Sequence, residues 1–252
     1  MPERHKQIID LLNQHEFVSI DHLSKYFQVT PQTVRRDIKK LSRRGLLQRY
    51  HGGISQISNI KNIEYKTRKI LRQNEKKNIA KTLAKEVPNQ ASVFINIGTT
   101  TEEVAKALLN HQGLKVITNN LNVAMILSQN TNIEVIIAGG IVRNRDLGIT
   151  GDATIDFIKQ FKVDIGIIGI SGIDQDGSLL DFDYNEVRVA RTIIHNSRSI
   201  FLAADHSKFD RNAMVSLCHI SEIDALFTDK TPNQKFCDVL NESGVSLHVV
   251  SR

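Results

Sequence analysis

Over the first fifty residues apolar side chains recur at helical spacing; from about position 91 they gather into short runs that alternate with helical stretches. Ile8, Ile9, Leu11 and Leu12 define a short amphipathic helix over 3–14, which Phe17 and Val18 close. Ser19 is a good N-cap for a second helix with Ile20, Leu23 and Phe27 on one side. Gln28-Val29 predicts a tight turn. Thr30 then caps a third helix with Pro31 at its first position, where a fixed φ and a missing N–H are tolerated. This helix is expected to run to about Ser42 with Val34, Ile38 and Leu41 buried. The same periodicity turns Gln32, Thr33, Arg36 and Lys40 outward, with Arg35 and Lys39 beside them. Gly45 is a natural helix stop, and the alternation over 46–51, followed by Gly52-Gly53, predicts a small β-wing carrying Arg49 and His51.

Residues 54–75 are polar and basic, loosest over 56–62, and a helix is predicted to begin at Glu64 and continue through Glu86, ending before Pro88. Beyond it, strands at 92–97, 115–118, 134–138, 163–170, 199–204, 225–228 and 246–250 alternate with helices at 102–109, 121–128, 185–196 and 232–241. Strands rich in Val and Ile that alternate with helices predict an α/β fold with a mostly parallel sheet. The expected organisation is a winged helix-turn-helix domain over 1–57, a linker over 58–75, and an α/β domain over 76–252.

Charge sharpens this picture. The 252-residue chain carries a net charge of +6, and +5 of it falls within residues 1–53. A charge concentrated in one small segment points to a polyanionic partner there, against the plainer alternative of a solvated basic face. The major groove of DNA admits a helix, Gln can bond adenine twice, and Arg can bond guanine O6 and N7. Ser19, Thr30, Gln32, Thr33, Arg35, Arg36, Lys39, Lys40, Arg49 and His51 are therefore candidate contacts to double-stranded DNA, with Arg43 and Arg44 directed at phosphates. Caps, proline, wing and charge all agree on that reading.

In parallel α/β sheets ligands bind beyond the carboxyl ends of the strands. One such end reads Ile97-Gly98-Thr99-Thr100-Thr101-Glu102: strand, glycine, hydroxyls, helix. Glycine lets backbone approach a ligand, and the N–H groups that follow, with the helix dipole, favour an anion. No Gly-Lys-Ser/Thr follows, so this is not a nucleoside-triphosphate loop; alone, the string is equally a turn with an N-cap. Lys208 supplies a second charge for a phosphate. Asn119 and Asn120 follow another strand, Asn119 serving either a ligand hydroxyl or the cap of the next helix. Gly139-Gly140 with Arg143 following, and the acids Asp181, Asp183 and Glu186, stand near other strand ends; acids before a helix serve its dipole or accept ligand hydroxyls. Cys218 and Cys237 match no metal or redox spacing and are read as reduced core thiols. No apolar run is long enough to span a bilayer, and the N-terminus lacks a signal peptide's apolar core. A cytoplasmic chain without cofactor or metal is expected.

The string SIDHLSKYFQVTPQTVRRDIKKLSRRGLLQRYHGGI resembles the DNA-binding module of the DeoR family of bacterial regulators. INIGTTTEEVAKALL, VITNNLNVA, IIAGGIVRNRD, GIIGISGIDQDGSLLDFDYNEVR and DHSKFDRNAMV resemble that family's sensor domain, so the likeness covers nearly the whole chain. The resemblance implies a repressor of glycerol-3-phosphate metabolism genes that leaves operator DNA when glycerol 3-phosphate, or a related sugar phosphate, binds. It also implies a homo-oligomer, a tetramer, on repeated operator sites. The family's sensor domain is related to ribose-5-phosphate isomerase, which makes an isomerase the rival reading. That chemistry needs positioned carboxylates to move a proton. Ile168 and Ser171 stand where the isomerase has paired acids, while Glu186 and Lys208 correspond to its base and its phosphate-site lysine. A binding pocket without catalysis is expected. The residues alone leave three-carbon and five-carbon sugar phosphates equally open.

Overall fold

The computed structural model describes residues 2–14, 17–50, 53–55 and 65–250, and the chain divides into two compact units, Met1–Arg68 and Lys69–Arg252. His51 and the stretch 56–62 lie outside the described residues.

The first unit contains α1 (Glu3–Gln14), β1 (Phe17–Ser19), α2 (Ile20–Tyr26), α3 (Pro31–Arg43), β2 (Gln48–Tyr50) and β3 (Gly53–Ser55). The expected caps form: Ser19 Oγ accepts from the His22 N–H at 3.0 Å, and Thr30 Oγ1 from the Thr33 N–H at 3.3 Å. Gly45, at φ +66°, ends α3; its N–H bonds the Ser42 carbonyl, and the Leu46 N–H bonds the Leu41 carbonyl, both at 3.0 Å. This doubled closure needs a left-handed residue at position 45, which glycine adopts without strain. The sequence reading had Phe17 and Val18 closing the first helix. They instead form β1, which pairs antiparallel with β3, as does β2, so that Val18 and Arg49 both face Ile54 in register. The third strand lets Val18 and Ile54 join Ile8, Leu12, Leu23, Val34, Ile38 and Leu41 in one small core; a lone two-stranded wing would hold together poorly.

The connecting helix is two helices, α4 (Tyr65–Ile70) and α5 (Gln73–Lys85), rather than one continuous run. Between them Arg72 takes φ +50° and ψ +39°. No glycine or proline marks this break, and a left-handed conformation costs a non-glycine residue roughly 1–2 kcal/mol. The Arg72 side chain donates to His206 Nε2 at 3.3 Å and lies 3.7 Å from Asp205 Oδ1.

The rest of the second unit runs β4 (Ser92–Ile95), α6 (Thr99–Ala107), β5 (Lys115–Thr118), α7 (Leu121–Leu127), β6 (Glu134–Ile137), β7 (Ile141–Val142), β8 (Ile149–Thr150), α8 (Asp152–Ile158), β9 (Val163–Ile168), β10 (Gly172–Ile173), β11 (Ser178–Asp181), α9 (Tyr184–His195), β12 (Ser197–Ala203), β13 (Val215–His219), β14 (Ala225–Thr228), α10 (Gln234–Glu242) and β15 (Ser246–Val249). Among the described residues the main sheet has the order β15-β14-β12-β9-β4-β5-β6, every neighbouring pair parallel. Alternating strand positions feed two cores. Val93, Ile95, Val116, Ile165 and Ile167 pack with α5, α6 and α7; Phe94, Ile168, Ile200 and Leu202 pack with α8, α9 and α10. Burial on both faces explains why these strands read as near-continuous apolar runs. The short antiparallel pieces, β7 with β8 and β10-β11-β13, and the helix α8 are absent from the sequence reading; β7, β8 and β10 are two residues each, too few to show a period.

From β4 the chain turns toward β5 and β6 on one side, and from β9 toward β12, β14 and β15 on the other. The switch point therefore lies between β4 and β9, where an open α/β sheet leaves a crevice at its carboxyl edge.

Candidate functional site

In the first unit, Gln32, Arg35, Arg36, Lys39 and Lys40 of α3 are exposed, Thr33 is half-exposed, and Arg49 stands exposed on β2. Asp37, the acid within this basic helix, turns inward and is 5% exposed. Its Oδ2 accepts from Arg4 at 2.7 and 2.8 Å, and its Oδ1 lies 3.0 Å from His5 Nε2. Burial alone would raise the Asp37 pKa, but the hydrogen bonds and charges of His5 and Arg4 outweigh it and hold the carboxyl below the usual range. One clamp thus ties α1 to α3 and withdraws a negative charge from the basic face. Ser19 and Thr30 spend an acceptor lone pair on capping; the Ser19 hydroxyl hydrogen remains to donate, and the Thr30 and Thr33 hydroxyls bond one another at 3.0 Å.

In the second unit, the loop after β4 begins α6. Gly98 has φ +152°, and a Cβ there would meet Thr101 Oγ1 at 3.2 Å. The Thr101 hydroxyl donates to the carbonyls of Asn96 at 2.7 Å and Gly98 at 2.8 Å, so its hydrogen fastens the loop. Thr99 and Thr100 are buried at the head of α6, where the first N–H groups have no intrahelical partner and face any anion seated there. Across the switch point, a Cβ on Gly169 would touch Thr101 Cγ2 at 3.7 Å, so the loops after β4 and β9 converge.

After β5 the cap proposed for Asn119 belongs to Asn120, whose Oδ1 accepts from the Asn122 N–H at 2.9 Å. Asn119 Nδ2 donates to the Ile149 carbonyl at 3.0 Å instead. The strand end sets this: the first residue past β5 still points its amide at the adjacent loop, and the second reaches α7. Asn119 Oδ1 and Asn120 Nδ2 are buried without a partner among the described residues. Orphaned polar atoms are costly in an interior, and a neighbouring acceptor and donor suit a hydroxyl-bearing ligand.

A wall of charge stands beside them. Arg143 bonds Asp146 at 2.7 Å, Asp183 at 3.2 Å and Glu186 at 2.5 Å; Arg145 adds a 2.7 Å contact to Asp183. Glu186 is pushed up, first by burial and further by Asp181 and Asp146, against the pull of Arg143. Asp183 caps α9 and is held down despite burial by the Glu186 and Asn185 N–H groups and both arginines. Asp181 accepts from Ser171 Oγ at 3.0 Å and from the Phe182 N–H at 2.6 Å. Asp181, Asp183 and Glu186 thus have protein partners already, and Asp146 and Arg145 join a cluster that the sequence reading had only begun at Arg143.

After β12 comes Asp205, 2% exposed, then the turn that carries Lys208. Burial would raise the Asp205 pKa, yet Lys208, the Ser207 hydroxyl, Arg72 and Lys76 together bring it down to about 2. Arg72 escapes a sequence reading because it lies in what looks like a basic linker, and Lys76, 4% exposed on α5, because it opens the helical stretch just beyond it; a lysine flanked by helix-core spacing is the available signal. β12 and β4 are separated by one strand, so the two strands lie about 10 Å apart in the sheet. A pocket of about 240 Å³ opens farther along the same edge, lined by Ile173, His206, Phe209, Lys230, Asn233 and Phe236 among others.

Ile168 is fully buried, and Ser171 Oγ donates to Asp181 Oδ1 at 3.0 Å. Among the described residues no group of three His, Cys, Asp or Glu is placed to hold a metal ion, and no helix is long and apolar enough to cross a membrane.

A winged helix-turn-helix with an exposed basic helix, followed in the chain by an α/β domain with a polar strand-end crevice, defines a ligand-responsive DNA-binding regulator. Residues 4–59 match the DeoR-like helix-turn-helix domain and residues 71–230 match the DeoR C terminal sensor domain, so the chain belongs to the DeoR family. It is 49% identical over 247 residues, 98% of each chain, to the glycerol-3-phosphate regulon repressor of Escherichia coli (strain K12). It is also 49% identical over 229 residues to the protein of that name from Haemophilus influenzae, covering 91% of this chain and 89% of the relative. These relatives are transcriptional repressors, and the chain belongs with them rather than with enzymes. Ribose 5-phosphate isomerase A from Methanocaldococcus jannaschii superposes over 55% of each chain with a TM-score of 0.41 and 15% identity, a likeness too distant to carry an argument.

Proposed function

We propose that this chain represses genes of glycerol 3-phosphate metabolism and leaves its operator when glycerol 3-phosphate, or a related sugar phosphate, enters the crevice. The near-full-length likeness to two glycerol-3-phosphate regulon repressors carries the reading. In it, residues 1–57 grip DNA, 58–75 link, and 76–252 sense the effector and assemble the oligomer, a tetramer. Gln32, Arg35 and Arg36 read base edges from the first turns of α3. Thr33, Lys39, Lys40, Arg49 and His51 hold the backbone or the minor groove, and Ser19 and Thr30 present helix N-termini to phosphates. Two such helices in a dimer would address operator half-sites one DNA turn, or a multiple of it, apart.

For the effector, Gly98 allows close approach, the N–H groups and hydroxyls of Thr99 and Thr100 meet the phosphate with Thr101 fastening their loop, and Lys208 supplies the counter-charge. Asn119 and Asn120 meet ligand hydroxyls, and Asp181 and Glu186 shape the far wall through Ser171 and Arg143. Calorimetric titration checks this assignment. Thr99→Ala and Lys208→Ala should each weaken glycerol 3-phosphate binding by about tenfold or more, in keeping with roughly 1.5–3 kcal/mol for a hydrogen bond to a charged group. Neither glycerol nor inorganic phosphate should compete effectively. Unchanged affinity in both variants would move the site elsewhere.

A further inference from the structure

We propose that Lys69 and Arg72 are positioning residues that convert an anion in the crevice into a change at the root of the DNA-binding unit. The proposal rests on the effector reading above. Each wall of the crevice is tied by one cation to the first residues of the second unit. Lys69 Nζ lies 3.7 Å from Oε2 of Glu102, a buried carboxylate in the first turn of α6, next to Thr99–Thr101. Arg72 Nε lies 3.7 Å from Oδ1 of Asp205 and donates to His206 Nε2 at 3.3 Å, on the turn that carries Lys208. His206 is itself fixed, its Nδ1 2.5 Å from Asp229 Oδ2.

The backbone at this point is poised. Arg72 is a non-glycine residue at φ +50° between α4 and α5, a conformation that persists only while surrounding contacts enforce it. Its side-chain bonds to Asp205 and His206 are such contacts.

A phosphate arriving between the Thr99 loop and Lys208 brings negative charge beside Glu102 and Asp205. It competes with Asp205 for Lys208 and repels the Glu102 and Asp205 carboxylates, which shifts them away from Lys69 and Arg72. Arg72 then loses the contacts that hold its backbone left-handed, and the break between α4 and α5, at the chain boundary of the first unit, changes conformation. A neutral polyol of the same shape lacks the charge and leaves the ties intact. A ligand can shift the equilibrium only by contacts that differ between the two states, and these ion pairs are the ones that differ.

The test uses the full chain and three variants, Arg72→Ala, Arg72→Lys and Lys69→Ala. In ligand-free protein, hydrogen exchange of amides in 65–76 should be about tenfold faster in Arg72→Ala than in wild type and near wild type in Arg72→Lys. Wild-type exchange in Arg72→Ala overturns the proposal whatever the effector proves to be. In gel shifts at fixed salt, glycerol 3-phosphate should lower operator affinity at least tenfold less in Arg72→Ala than in wild type, and Arg72→Lys should recover part of the response. Lys69→Ala should show a smaller loss of the same kind, because the Lys69 side chain is half exposed. Calorimetric affinity of Arg72→Ala for glycerol 3-phosphate should stay within about threefold of wild type. Full release in Arg72→Ala overturns the coupling, and so does lost glycerol 3-phosphate binding, which would make Arg72 a ligand contact. A wild-type protein indifferent to glycerol 3-phosphate would contradict the proposed function, while the exchange experiment would still decide the role of Arg72.

Discussion

On α3 the side chains assigned to DNA stand in water: Gln32, Arg35, Arg36, Lys39 and Lys40 are exposed on a helix whose other face is core. At the ends of β4, β5 and β12 the assigned residues are buried or half-buried, and many hold one another: Thr101 its own loop, Asp181 the Ser171 hydroxyl, Glu186 the Arg143 guanidinium. A surface meant for a long polyanion gains from free, mobile charge that releases counterions on contact. A pocket for one small anion must be preorganised, because ordering charged groups at the moment of binding subtracts from affinity. The first region should therefore lose binding but not stability when a charge is removed, and the second should lose stability too, most where the charge is most buried and most shared.

The strongest break of that contrast would come from Arg143→Ala. It leaves Asp146, Asp183 and Glu186 with only the half-exposed Arg145 between them, and unfolding by denaturant should show a loss of about 3 kcal/mol. A loss no larger than that of a surface mutation would mean the wall is not interlocked as described. Arg36→Ala is the opposite case. Its unfolding should match wild type, while operator binding weakens by about 1–3 kcal/mol if it reads a base, with a shallower salt dependence if it meets a phosphate. Binding unchanged in affinity and salt slope would place the DNA surface elsewhere.

Acid sharpens the comparison further. The folded Asp205 pKa, about 2, lies below its ordinary value near 3.8, so its contribution to stability is complete above about pH 4. It is lost as pH falls through 2, and amounts to about 2 kcal/mol at 1.36 kcal/mol for each pKa unit. Urea unfolding at pH 5 and pH 2 measures it, and Asp205→Asn should flatten that part of the profile. Smallest is the Thr30→Ala cap, at about 1 kcal/mol; it should lower the thermal midpoint of the chain by a few degrees, and an unchanged midpoint would show that the Thr30 bond contributes nothing.

The same contrast explains what could be read from the chain alone. α3 was legible because burial and exposure alternate within thirteen consecutive residues and its ends carry Thr30, Pro31 and Gly45. The parallel strands were legible as apolar runs, to within a few residues at their ends. The crevice was legible only in pieces. Gly98–Thr101 announces itself locally, but the pairing of Arg143 with Glu186 spans 43 residues and that of Arg72 with His206 spans 134. No local period encodes such contacts. The break at Arg72 is invisible for the same reason: its side chain bonds to the turn after β12, far along the chain. The cap falls to Asn120 rather than Asn119 because a one-residue shift at a strand end redirects a side chain, below the precision of any pattern.

The most direct measurement is a gel shift of wild-type protein on operator DNA at one salt concentration, with and without glycerol 3-phosphate. The account predicts tight binding that glycerol 3-phosphate reverses and that glycerol or inorganic phosphate leaves intact. Binding indifferent to glycerol 3-phosphate, while another sugar phosphate reverses it, would contradict the named effector; binding that no sugar phosphate reverses would contradict the sensing role of the crevice itself.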